Sequence, residues 1–330
     1  MRLASSAIYT AIFLGAACLV GLPTYIGTWT WDVAACGPAP QRSSAFLAEC
    51  TQRNFGDFEH AAYLWDLEPS AVRALQAADV VFLGNSRMQI AFSTRAVSQY
   101  FSRNGISYYV LGFGYDEESA FPEHLLRKYH IKPKAYFINA DPFFNDHLSI
   151  PADELESMRL SVWLSYAFKT MFVREQRLIC GIPGLCVRSQ NTLYRVPEDG
   201  TWIWQEFWLP SARSLPLTAE KGMTLNDSQL SHAKVLAREF AASSSVPPEC
   251  IILTGVPTNV VDSQAVAAEI GRAAGLQVIL PDVENVNTAD QSHLNADSAE
   301  RWSTAVIAKA APILEACLAR QHNAPAAPPS

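Results

Sequence analysis

Short apolar runs that end at a glycine or a small polar residue alternate with amphipathic stretches along most of this chain, and that rhythm leaves few folds open. Asp79-Val-Val-Phe-Leu-Gly84 is such a run, followed by Ser107 to Gly112, Ala135 to Asn139, Cys250 to Gly255 and Gln277 to Leu280. Brief, continuously apolar runs are what strands buried on both faces look like, as in a parallel sheet. Between and around them lie segments with helical spacing: Pro69 to Gln76, Thr94 to Ser102, Glu117 to Tyr129, Asp227 to Ala242, Ser263 to Ala274 and Ala296 to Ala319. Strand and helix taking turns predicts an α/β fold, a three-layer doubly wound parallel sheet with helices on both faces. A chain of 330 residues is long enough for one such domain with an insertion.

The rhythm breaks between residues 142 and 222, which read as an inserted subdomain. It carries an amphipathic helix near Ala152 to Phe172, a loop with Cys180 and Cys186, and the aromatic stretch Thr201-Trp-Ile-Trp-Gln-Glu-Phe-Trp208. The domain proper is expected over 69–318. Residues 30–68, with Trp31, Cys36, Pro38, Pro40 and Cys50 but no clean period, read as a stalk or strap, and the Ala- and Pro-rich tail 319–330 as disordered.

At the amino end, no charged side chain occurs between Arg2 and Asp32, and Ala7 to Ile26 is almost wholly apolar. That length spans a bilayer. Residues 1–29 are therefore expected to be a signal anchor, a single transmembrane helix with Arg2 on the cytoplasmic side and the rest of the chain outside; a cleaved signal peptide, giving a secreted protein, is the alternative. Cysteine usage points to the same compartment. Setting aside Cys18 leaves six, and nearness in sequence pairs Cys36 with Cys50 and Cys180 with Cys186, leaving Cys250 for Cys317. A net charge of −7 without a dense block of Lys and Arg argues against nucleic acid as a partner. No Cys/His cluster has metal-ligand spacing, so no metal is expected.

Two segments sit at expected carboxyl ends of strands, where doubly wound sheets place their ligands. In Leu83-Gly84-Asn85-Ser86-Arg87 a strand runs into a turn that can present a hydroxyl. In Asp290-Gln291-Ser292-His293-Leu294 a carboxylate and an imidazole lie three residues apart. Asp290 can hold one ring nitrogen of His293 and leave the other for a nucleophile from elsewhere. Each segment has a plain structural reading, a turn for the first and a helix cap formed by Asp290 or Asn295 for the second. Their joint occurrence, in order and at opposite ends of an α/β pattern, favours a Ser86, His293, Asp290 triad. The other histidines, His60, His124, His130, His147, His232 and His322, read as surface or packing residues.

Gly84-Asn85-Ser86 resembles the first block of the SGNH (GDSL-like) hydrolases, Gly-Asp-Ser, with Asn in place of Asp, and Asp290-x-x-His293 matches that family's last block. Gly114, or Gly112 by a small slip, matches the second-block glycine. Asn139 in Phe137-Ile-Asn-Ala-Asp141 is similar to the Asn of the third block, Gly-x-Asn-Asp, which here lacks both its Gly and its final Asp; Asp141 or Asn145 are the alternative polar groups. The resemblance covers about 75–141 and 225–318 and is nearest to the divergent cell-envelope branch, similar to alginate-acetylation and teichoic-acid-alanylation proteins. It implies a flavodoxin-like sheet and an acyl-enzyme mechanism without a cofactor: Ser86 attacks an acyl carbonyl, His293 moves the proton, and Asp290 orients it. The backbone N–H groups of Ser86 and Gly114 with the Asn139 side chain would form the oxyanion hole.

The resemblance and the expected location together imply a serine esterase or O-acyltransferase of the bacterial inner membrane and periplasm, working on short acyl esters, acetyl above all. Its partners would be an envelope glycan or an acylated small-molecule donor, and a membrane-bound acyl-donor protein fits the same scheme. Trp202, Trp204 and Trp208 could stack on sugar rings or simply pack the insertion; Arg87 could orient an acidic substrate group or pair with the Asp116 to Glu118 cluster. A non-catalytic SGNH-like scaffold or glycan-binding component, and a lipid or thioester esterase with the Trp-rich insertion lining its cleft, are the rival functions.

Overall fold

The computed structural model describes residues 15, 35–36, 44–50, 55–182, 184–186, 192–203, 214–218 and 225–322. The expected anchor over 1–29 lies outside these residues apart from Gly15, and so do Trp204, Trp208 and the end of the tail from 323.

In chain order the elements are β1 (Phe46–Cys50), β2 (Gly56–Asp57), α1 (Glu59–Leu64), α2 (Pro69–Gln76), β3 (Val80–Asn85), α3 (Ser86–Phe92), α4 (Arg95–Arg103), β4 (Tyr108–Phe113), α5 (Ala120–Lys128) and β5 (Ala135–Asn139). Then come α6 (Ile150–Glu156), α7 (Leu160–Cys180), β6 (Thr192–Arg195), β7 (Trp202–Ile203), β8 (Leu215–Pro216), α8 (Asp227–Ser243), β9 (Ile251–Thr254), α9 (Ser263–Ala274), β10 (Gln277–Val278), β11 (Asn287–Thr288) and α10 (Ala296–His322).

The five apolar runs form one parallel sheet in the order β10-β9-β5-β3-β4. All residues of β3, β4 and β5 are buried, so both faces of the sheet are covered. Starting at β3, the chain adds β4 on one side, then crosses back to β5 on the other and continues outward. The crevice between β3 and β5 is therefore the switch point where such sheets bind ligands. Helix ends follow from local chemistry: Pro69 opens α2, Asn226 and Gln229 form a capping box on α8, and Gly275, at φ +69°, closes α9 in the left-handed conformation. On one side of the sheet Phe82 stacks on Phe137 at 4.9 Å and meets Phe92, which packs edge-on against Trp302 of α10.

The expected stalk or strap is, over its described part, an integral element. β1 pairs with β2 and, across a long sequence separation, with β6, giving a second, antiparallel sheet in the order β2-β1-β6-β7. This sheet closes the edge of the first at β4. Arg195, fully buried, donates to the carbonyls of Val110 (3.0 Å) and Gly112, while its Nε pairs with Glu59 at 2.8 Å. An exposed β4 edge would be a template for pairing with other chains; here the insertion occupies it. The expected helix at Ala152 to Phe172 is two helices, because Met158 adopts φ +48° and turns the chain between α6 and α7.

Cysteines pair as Cys36–Cys50, Cys180–Cys186 and Cys250–Cys317, with Cα–Cα distances of 6.0, 5.2 and 5.8 Å. The last ties α10 to the start of β9, and a loop of that length restricts the unfolded chain by roughly 4 kcal/mol on the chain-entropy account. Among the described residues one helix, α10, is long and apolar enough to cross a membrane. Its Trp302, Val306, Ala310 and Leu314 are fully buried in the core, however.

Candidate active site

The turn after β3 fixes Ser86. Gly84 must be glycine because a Cβ there would lie 2.6 Å from Met88 Cβ and 3.2 Å from Asn139 Cβ, closer than packed carbons approach. Asn85 caps α3, its side-chain oxygen accepting the N–H of Arg87 at 3.0 Å, and its amide nitrogen donates to the Asp141 carbonyl at 3.1 Å. That leaves Ser86 as the first residue of the helix, half-exposed at the carboxyl end of the sheet, with a backbone N–H for which the helix offers no acceptor.

The loop carrying Asp290 and His293 is braced from several directions. Ala289 N–H donates to the His293 carbonyl (2.8 Å), Gln291 N–H to Thr288 Oγ1 (3.1 Å), and the Gln291 carbonyl accepts from Asn259 N–H (2.9 Å) and Thr258 Oγ1 (3.0 Å). Gln291 itself sits at φ +74°. Asn295, not Asp290, caps α10, its Oδ1 accepting from Ser298 N–H at 3.0 Å. Asp290 is thus free to serve the histidine. Its Oδ2 lies 2.8 Å from His293 Nδ1, and its Oδ1 accepts the N–H groups of His293 (2.7 Å) and Ser292 (3.0 Å). Burial opposes ionisation of this carboxyl, but the hydrogen bond and charge of His293 and the two N–H donors outweigh it and hold it below the usual carboxylate range. The other ring nitrogen, Nε2, is 2.8 Å from Ser86 Oγ. Three side chains from opposite ends of the domain, 207 residues apart for Ser86 and His293, form one continuous hydrogen-bonded chain.

The remaining expected site residues are distributed less simply. Of the two glycines, Gly112 is inside β4 with its N–H engaged by Gln89 Oε1 at 3.0 Å. Gly114 lies just past the strand, and since Asn85 pairs with Phe113 it runs alongside Ser86. A Cβ on Gly114 would reach only ordinary contact, 3.9 Å from Glu49 Oε2 and from Trp202 Cη2. Asn139 is fully buried; its Oδ1 accepts from Val256 N–H (3.0 Å) and its Nδ2 donates to the Asp141 carbonyl (3.3 Å), so it pins the loops after β5 and β9 beneath the rim. Trp202, read either as a sugar platform or as packing for the insertion, is buried and packs. Its indole N–H donates to Glu59 at 3.1 Å and its ring lies 5.7 Å from the Arg195 guanidinium, so although β7 is the edge strand of the second sheet, this side chain is turned inward.

Arg87 pairs with Asp141 at 3.4 Å, both buried, not with the Asp116 to Glu118 cluster. Burial pushes Asp141 up to about 6, with Arg87 opposing and Asp116 adding to the rise. Asn145 bonds to Glu118, whose carboxyl burial pushes up to about 7. Beside this loop opens a cavity of about 320 Å³ whose lining includes Glu118, Ala140, Phe144, Asn145, Gln229 and His232.

A second polar cluster was hidden in the sequence. His60, read there as a surface or packing residue, is fully buried on α1 between Asp57 (Nδ1–Oδ1, 2.8 Å) and Glu117 (Nε2–Oε2, 3.0 Å), its ring against Phe113 and Phe121. Ser149 donates to the same Glu117 oxygen, and Tyr166 donates to Asp57 at 3.1 Å. Burial alone would lower the imidazolium's pKa, but the charges and hydrogen bonds of Asp57 and Glu117 push it up to about 10. Glu117 N–H donates to the Gly114 carbonyl at 3.2 Å, so this cluster holds the loop that carries Gly114. Asp57, Glu59 and His60 offer ligand atoms within 4.8 Å of one another. Those atoms already have partners, Tyr166 and Glu117 on one side and Arg195 and Trp202 on the other, which argues for a structural ion network. The signal available in the sequence was the polar group Asp57-Phe-Glu-His60 directly before the apolar run Ala61 to Leu64.

Compared with family models, curated proteins and solved structures, this chain matches none.

Proposed function

We propose that this protein is a serine esterase or O-acyltransferase acting on short acyl esters, acetyl foremost, of an envelope glycan. One observation carries the reading: Ser86 Oγ, His293 Nε2 and Nδ1, and Asp290 Oδ2 lie in one relay with both contacts at 2.8 Å. The carboxylate fixes the proton on Nδ1, which leaves Nε2 as the acceptor facing the hydroxyl. Ser86 Oγ attacks the acyl carbonyl while its proton passes to Nε2, and the imidazolium so formed sits against a carboxylate already held ionised by three donors. His293 returns the proton to the leaving alcohol, giving an acyl-Ser86 that water or a sugar hydroxyl then takes. The developing oxyanion falls to the N–H groups of Ser86 and Gly114, where one donor contributes roughly 3 kcal/mol to the transition state. Glu49, beside Gly114, does not oppose this charge strongly, since burial and then the neighbouring Glu59 and Asp57 push its carboxyl up to about 7.

Three disulfides are compatible with an oxidising compartment, and the apolar stretch Ala7 to Ile26 would hold the domain at the outer face of the inner membrane. The test is release of p-nitrophenol from p-nitrophenyl acetate by the purified full chain, with and without an acetyl-accepting envelope glycan. Turnover that the Ser86→Ala variant lacks supports the reading, and acetyl groups appearing on the glycan make the protein a transferase. Equal turnover by the variant contradicts it.

A further inference from the structure

Helix α7 has two apolar faces on opposite sides, and the domain uses one. Tyr166, Phe172, Val173 and Gln176 are buried against the body. The opposite side presents Leu160, Trp163, Leu164, Phe168, Met171 and Leu178 to solvent, with Leu160 71 % and Leu178 75 % exposed. Spacings of three and four keep these residues on one stripe. It continues past the helix end at Ile182 and Leu185 in the loop closed by Cys180 and Cys186. Scattered exposed apolar residues need no explanation, but a stripe contiguous over about three turns, Leu160 to Met171, and taken up again at Leu178 beyond Arg174 and Glu175, does.

We infer that this outer face of α7 lies on the lipid surface of the membrane, an inference that rests on reading Ala7 to Ile26 as the anchor. The chain itself argues for a bilayer as occupant. About ten residues separate Ile26 from Cys36, at most about 35 Å of extended chain. Cys36 is fastened to α7: its carbonyl accepts from Tyr194 OH at 2.6 Å, and Tyr194 OH accepts from Gln176 Nε2 of α7 at 3.0 Å. The short tether from the apolar stretch thus ends one side chain, Tyr194, away from the helix whose outer side is apolar. Charge adds a smaller argument: of the four cations between Arg159 and Cys180, Lys169 is turned inward, donating to the Asp57 carbonyl at 2.5 Å, and Arg177 pairs with Glu68 at 2.7 Å, which leaves Arg159 and Arg174 for a lipid surface. Cations beside Trp, Phe and Leu are the composition of helices that lie in the interface of anionic lipid.

The experiment uses the full chain in native membranes, with photoreactive benzoylphenylalanine replacing Phe168 or, as a control, Val235, an exposed apolar residue of α8. After illumination, phospholipid adducts at Phe168 are expected to exceed those at Val235 by at least about tenfold. Equal labelling at the two positions, or a protein adduct at Phe168, overturns the inference. Alkaline carbonate extraction of the same membranes separates the two readings. A chain that stays in the pellet without lipid adducts keeps the anchor and loses the α7 surface, whereas a chain that washes out loses the anchor.

Discussion

Ser86→Ala is expected to lower kcat/KM for an activated acetyl ester by at least about 10⁴-fold, and His293→Ala by a similar factor. Asp290→Asn should cost about 10⁴-fold as well, because an amide in that place stabilises the wrong tautomer of His293 while leaving the loop's shape intact. The loop is kept by bonds the substitution spares, those of Thr288, Asn259 and Asn295. The double variant Ser86→Ala with His293→Ala should be no worse than either single one, since the members of a relay act as a unit. Steady-state kinetics on the four proteins check this. Losses that multiply, or an Asp290→Asn enzyme near full rate, would mean that the 2.8 Å contacts do not form the reacting set.

The largest expected effect on stability lies elsewhere, at His60. His60→Gln leaves Asp57 and Glu117 facing each other in a buried space, which should destabilise the fold by roughly 3–5 kcal/mol, a loss of about 6–15 °C in Tm. The dependence on pH gives this prediction its sign. His60 is raised from 6.5 to about 10, so between those values the folded chain binds a proton that the unfolded chain does not. Its contribution is complete below about 6.5 and disappears as pH rises through about 10. Burial raises Glu49, Glu118 and Asp141 too, and their titration also lowers stability as pH rises; for Glu118 and Asp141 this is common to both proteins, while Glu49 loses the lowering charge of His60 in the variant. The gap in Tm between wild type and His60→Gln should therefore be widest near pH 6 and narrow towards pH 10. A gap independent of pH would assign His60 a packing role only. Removing one charge in His60→Gln with Glu117→Gln should recover part of the loss.

Much of the fold could be read from the chain because parallel strands and their helices are local patterns. β3, β4, β5, β9 and β10 fall within about a residue or two of the apolar runs that predict them, and α9 lies where Ser263 to Ala274 predicts it. That Ser86, His293 and Asp290 come together was legible for the same reason: Asp290 and His293 meet within one turn, and Ser86 directly follows a strand. What could not be read depends on long-range pairing. Phe46–Cys50 becomes a strand only because Thr192–Arg195 comes back to pair with it, and nothing local in either segment announces the other. Trp202 alternates as an exposed ribbon would, yet its burial is decided by Glu59 and Arg195. α3, at seven residues, is too short to show a helical period. Asn139 was legible only as a residue that resembles the third-block Asn in sequence, and the bond to Val256 that holds it comes from the loop after β9.

Ser86 is proposed as a nucleophile activated by His293. Its most direct test is to treat the full chain with a fluorophosphonate and locate the adduct by peptide mass spectrometry. A single phosphonyl group on the peptide containing Ser86, formed by wild type and by Arg87→Gln but not by His293→Ala, is the predicted result. Labelling that is absent from Ser86, or that persists unchanged without His293, would contradict it.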